Sequence, residues 1–281
     1  MTTPLPKGKG GKLINLITPT TIEWGGGSDF LKHNIMARIY SNSFFHYTTQ
    51  EGLLGILKEG FKATYCKEQF KNKEGEIKYI GIPMISFCDI PLSLLSEVVY
   101  GDRGYAIGMK REWGLKKCLI PVFYFSNEDS SMIQKAMQRN CSNFYKIRRE
   151  KNKTKFSYKI LGMSKPIQKF SDDDYTRGKI PDNYKEREWR KVFYKELWKD
   201  ETEYQKWRGE QNDPKPMLSK KMTFDVNDID FIILENNTDV HTFIEKIQSS
   251  DFQICNKKIE EKDKYLLVAK IITKDQITNN F

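Results

Sequence analysis

Apolar and polar positions change period several times along this chain. Residues Phe44-Phe45-His46-Tyr47 make a short aromatic run that suits a strand. Thr48-Thr49-Gln50-Glu51 follows as a capping box with Thr48 at the N-cap, and Leu53, Leu54, Ile56 and Leu57 give the apolar face of a short helix that Gly60 is placed to end. Strand signals return at residues 83–91, after which Leu92–Val99 offers one or two helical turns. Two further strands are expected at Tyr105–Met109 and Cys118–Phe125, the second nearly all apolar and therefore buried. Ile133, Met137, Phe144 and Ile147 fall near helical spacing within residues 127–149. Beyond them the pattern predicts strands at Glu188–Tyr194, Phe231–Leu234 and Tyr265–Ile272, and an amphipathic helix at Thr238–Ile247. Strands and helices mixed without a regular βαβ rhythm predict an α+β fold.

Composition narrows the class. Of the 281 residues, 38% are hydrophobic, enough for a sizeable core. The glycine-rich opening lacks the frame of a phosphate-binding loop and reads as a flexible N-terminal arm, residues 1–35. No apolar segment follows the charged stretch Met1–Lys12, and the longest apolar runs are strand-length, so a cytoplasmic chain with no membrane partner is expected. Five cysteines, scattered without CxxC spacing, suit a reducing compartment rather than a disulfide framework or a zinc site.

Charge is uneven. The formal net charge is +10, and Lys146–Lys169 holds nine Lys or Arg against Glu150 alone. Tyr145, Phe156, Tyr158 and Phe170 are interleaved with these cations. Cations that neutralise phosphates beside rings that stack on bases make Arg148, Arg149, Lys151, Lys153 and Lys155 candidate nucleic-acid contacts.

Of the three histidines, His46 draws attention because it ends a strand just before a capped helix. Glu186 and Glu188 open a predicted strand two residues apart, so both carboxylates would project to one side, where a pair can stabilise a sugar cation or position a hydroxyl. A solvated strand edge would look the same.

The segments FHYTTQEGLLGILKEGF, PMISFCDIPLS, YGDRGYAIGMKREWG, LIPVFYF and EREWRKVFY resemble the AbiGi family of abortive-infection proteins, over residues 44–195. The arrangement is also similar to the ADP-ribosyltransferase superfamily. That resemblance implies a split β-sheet core with peripheral helices at residues 36–281, with a basic helical insertion at about 126–183. It implies NAD as substrate and a toxin-like activity that passes ADP-ribose to a macromolecular acceptor, here nucleic acid. His46 then matches the first-strand residue that holds a ribose hydroxyl, with Tyr47 beside it. Ser86 supports the cleft, and either Tyr100 or Tyr105 stacks on nicotinamide. Arg103 and Arg187 are pyrophosphate contacts. Glu188 is the late catalytic carboxylate, with Glu186 aligning the acceptor. Members of the AbiGi family are also described as antitoxins, which implies a different role: an inactive antitoxin or sensor that binds a partner protein or nucleic acid.

Overall fold

Strand β1 (Ser43–Thr48) buries Phe44 on one face and Phe45 on the other, and the chain turns straight from it into helix α1 (Gln50–Glu59). The cap is Thr49, one residue beyond the expected Thr48: the Thr49 hydroxyl accepts from the Gly52 amide at 3.2 Å. Gly60 ends the helix at φ 87°, and a Cβ there would lie 2.7 Å from the Met222 carbonyl oxygen. These elements belong to a computed structural model that describes residues 41–97, 104–126, 128, 131–149, 156–168, 183–194, 198–209 and 219–280.

After β2 (Phe61–Lys62) comes a hairpin of β3 (Thr64–Lys71) and β4 (Ile77–Cys88). β5 (Tyr105–Lys110) runs directly into the short helix α2 (Arg111–Lys116). The apolar run expected as one buried strand at residues 118–125 is divided. Cys118 has φ 59°, and Pro121 cannot donate to a ladder, so β6 (Ile120–Pro121) and β7 (Phe123–Phe125) join different sheets, and Phe123 is exposed. Helices α3 (Met132–Arg149) and α4 (Phe156–Gly162) lead to β8 (Ser164–Pro166), which pairs in parallel with β7.

The chain continues through β9 (Glu188–Val192), α5 (Glu201–Gly209), β10 (Lys221–Met222), β11 (Ile229–Leu234) and α6 (Thr238–Gln248). It ends with β12 (Gln253–Ile254), β13 (Lys257–Lys258), α7 (Glu261–Val268), β14 (Ile271–Thr273) and α8 (Lys274–Asn280). The strand expected at Tyr265–Ile272 is therefore helix over its first half and strand only at its last two residues. Glu261 and Asp263 favour a helix N-terminus there, Leu267 alone of the run is fully buried, and the sheet edge takes only three residues.

The fold is α+β. The principal sheet has eight strands in the order β14-β11-β5-β1-β4-β9-β6, with β3 also on β4. The long strand β4 joins the parts: its first half pairs with β3, its second half with β9, and Cys88 at its end faces Phe45 of β1. One sheet face, bearing Phe44, Phe87 and Ile107, packs under α1, α6 and α7. The other face bears Met84 and Val192 under α3 and α4, and Phe45 and Ile233 under α8.

Candidate functional site

Glu188 and Arg190 lie two residues apart on β9, so their side chains share a face. Arg190 is fully buried and makes four hydrogen bonds through its guanidinium. Its Nε donates to Glu188 Oε1 at 2.7 Å, and Nη2 donates to Glu188 Oε2 at 2.9 Å and to Glu68 Oε1 at 2.7 Å. The Gly162 carbonyl at the end of α4 accepts from Nη1 at 3.3 Å. Lys165, on β8, donates to Glu188 at 3.1 Å and to Glu186 at 2.5 Å. A hydrogen bond from Ser86, directly opposite Arg190 in the β4–β9 ladder, reaches Glu188 as well. Four strands and the end of α4 thus meet at one ionic network.

Glu186 reaches this network by a different route from the one expected. It does not share the strand with Glu188 but ends a 3-10 turn, Asn183–Glu186, after which Arg187 takes a left-handed φ of 43°. The shared cation Lys165, not the pleat, brings the two carboxylates together.

Charge is distributed unequally over the network. Burial alone would push the Glu188 carboxyl up, but Arg190 and Lys165, with the Ser86 hydroxyl, outweigh it and hold it down at about 2. Glu68 has one guanidinium contact, and there burial prevails and pushes the carboxyl up. The contribution of Glu188 to stability is complete above its ordinary value of 4.5 and is lost as pH falls through about 2. Glu68 acts in the opposite sense: its contribution is complete below 4.5 and declines as pH rises through its raised value. Melting temperature should therefore climb between pH 2 and 4.5, and Glu188→Gln should flatten that climb. An unchanged acid profile in the variant would show that Glu188 is not held ionised.

His46 is on the other face of the sheet. Its Nδ1 donates to the Ser86 carbonyl at 2.8 Å, and its ring packs edge-on to Phe61 and tilted against Phe87, within the larger core. Phe45 faces Cys88, and Cys88 faces Glu188, so the pleat points Phe45, Cys88 and Glu188 one way and His46 the opposite way. Ser86 contacts both, through its backbone on one side and its hydroxyl on the other. Tyr47 shares the Glu188 face, and burial pushes its hydroxyl pKa up. The Tyr105 hydroxyl donates to Asp239 on α6 at 2.8 Å. Arg187 lends its carbonyl to the Asp89 amide at 3.1 Å.

Tyr100, Arg103, Lys151, Lys153 and Lys155 lie outside the described residues, as does the expected N-terminal arm. Arg148 and Arg149 belong to the last turn of α3, and their side chains are likewise outside the description. Lys165, counted within the basic segment, is not a solvated cation but the buried partner of two glutamates.

Sequence reasoning passed over Glu68, Lys165 and Arg190, although the last is the W-R of the segment that carried the resemblance. It also passed over Arg111. That guanidinium rests against both the Phe44 and Trp189 rings, 5.0 Å from each centroid, and donates to buried Asp89 at 3.0 Å. The described cysteines are all free, and burial pushes Cys66 up to about 12. Among the described residues no cluster of His, Cys, Asp or Glu could hold a metal ion, and no helix is long and apolar enough to cross a membrane.

An α+β sheet protein pinned by a closed ionic network is the class these observations define. A family model described as "Putative abortive phage resistance protein AbiGi, antitoxin" matches residues 59–235, and the chain belongs to that family. No curated protein and no solved structure matches the chain. The family description corrects the expected function: these proteins are described as antitoxins, not as toxins that transfer ADP-ribose. None of these comparisons supports the wider resemblance to ADP-ribosyltransferases.

Proposed function

We propose that this chain is the antitoxin of an abortive-infection pair and neutralises a partner toxin protein by binding it. The match to an antitoxin family over residues 59–235 carries this reading. The chemistry of the network supports it. A carboxylate that steadies a cationic transition state must offer its charge to substrate, whereas Glu188 spends its oxygens on Arg190 and Lys165 inside the protein. Such a network fixes the relative placement of β3, β4, β8 and β9, which suits a protein that works by presenting a stable surface.

The test is expression in a bacterial host of the protein encoded beside this one, alone and together with this chain. The neighbour alone should arrest growth, co-expression should restore it, and a tag on either protein should recover both. Growth arrest caused by this chain by itself, or arrest by the neighbour that co-expression leaves unrelieved, would overturn the proposal.

A further inference from the structure

A cavity of about 420 Å³ opens where the first residues of β11 and β14 meet the far end of α8, away from the ionic network. Its floor is shaped by an irregularity in the sheet. Ile229 pairs with Met109 and Phe231 with Gly108, so Asp230 is an extra residue on β11, a bulge that re-aims the side chains around it. Gly108 allows this packing: a Cβ there would lie 2.8 Å from the Phe45 ring and 3.2 Å from Phe231. The Phe231 ring, stacked on Phe45 at 6.0 Å, and Ile272 form the apolar walls.

Asp230, Lys270, Gln276 and Asn280 are the polar side chains that line the cavity. Asp230 is engaged from below, because buried Ser43 donates to its Oδ2 at 2.6 Å. Lys270, by contrast, makes no ion pair among the described residues; its Nζ donates to the Ile229 carbonyl. Burial and the neighbouring Lys110 disfavour its charge, and Asp230 only partly offsets them. Gln276 accepts from the Thr273 amide at 3.0 Å through Oε1, and its Nε2 has no partner among the described residues. A half-buried ammonium that makes no direct ion pair, beside an amide donor and an aromatic wall, suits the head of a small anion with an apolar body, the Asp230 carboxylate on the same lining being held by Ser43.

We propose that this cavity binds a small organic anion, a carboxylate or phosphate monoester with an aromatic or aliphatic body. Lys270 and Gln276 hold its head, and Phe231 and Ile272 cover its body. The site is independent of the antitoxin reading.

Calorimetric titration of the full chain with benzoate, phenyl phosphate, inorganic phosphate and neutral benzamide tests this. At least one of the two aromatic anions should bind, and whichever is tighter identifies the head group. Inorganic phosphate and benzamide should bind at least about tenfold more weakly. Lys270→Met, which keeps the stem and removes the charge, should weaken the anion by about tenfold or more with the melting temperature preserved. No aromatic anion bound at about 10 mM, benzamide or inorganic phosphate bound as tightly, or binding unchanged in a folded Lys270→Met would overturn the proposal. Should Lys270→Met fail to fold, Gln276→Leu on the exposed side of α8 decides: weakened anion binding supports the site, and unchanged binding overturns it.

Discussion

Arg190→Met is expected to lower the free energy of unfolding by about 3–5 kcal/mol, a large share of the roughly 5–15 kcal/mol that holds a typical domain folded. The cost arises from what remains. Glu188 and Glu68 would stay buried with two and one charge-assisted hydrogen bonds missing, and the Gly162 carbonyl would lose its donor. Lys165 could compensate Glu188 only in part, because it already serves Glu186. Arg190→Lys should recover little, since one ammonium cannot reproduce a planar fork that reaches two carboxylates and a carbonyl at once. Replacing all three of Glu68, Glu188 and Arg190 by apolar residues of similar volume should be far less damaging than the single change, because no buried charge is then left without its partner. Urea unfolding followed by circular dichroism measures all three. A loss below about 1 kcal/mol for Arg190→Met would place the network in the class of solvated surface pairs, against its burial.

The contrast between Glu188 and Glu68 shows how far the sequence could be read. E-x-E-W-R marks a strand and a chemically dense one, and Glu188 does sit at the centre of the polar network. The partners were hidden because they come from four other places in the chain. Glu68 occupies an inward position of β3 and breaks the apolar alternation that would have revealed that strand, so the hairpin itself was missed. Lys165 was counted with the basic segment, since nothing local distinguishes a lysine that will be buried against two glutamates from one in water. Long, strongly patterned elements were legible: β1, α1, β5, β11 and α6 stand close to their expected positions. Failures fell where tertiary context overrides an apolar run. Pro121 splits residues 118–125 between two sheets, and the short sheet edge leaves the first half of residues 265–272 to a helix. The pairing of His46 with Glu188 was read from a resemblance, and strand register is what separates them: successive residues alternate faces, and the sequence does not show which residue of β1 meets which of β4.

Phe144→Ala should have an effect as large as the loss of Arg190, for an apolar reason. Phe144 lies on the buried stripe of α3 with Met137 and Cys141, and it is fully inaccessible in a cluster with Phe70, Ile80, Met84, Leu161, Val192 and Trp198. Its ring meets Tyr145 edge-on at 5.2 Å and Trp198 at 6.4 Å. Truncation removes the ring's transfer free energy and leaves a cavity walled by β-strand residues that cannot collapse into it, for a cost of about 3–5 kcal/mol. The same change tests how α3 is coupled to the sheet. Tyr145 hydroxyl donates to the Tyr79 carbonyl on β4 at 2.6 Å, and the Lys73 amide in the hairpin turn donates to Ser142 at 2.9 Å, so helix and hairpin share polar as well as apolar contacts. A single unfolding transition, shifted to lower urea with its slope preserved, is expected. If instead hydrogen exchange shows α3 opening alone while β3, β4 and β9 keep their protection, the helix is a separate unit resting on the sheet. The surface presented to a partner would then be free to change without unfolding the core.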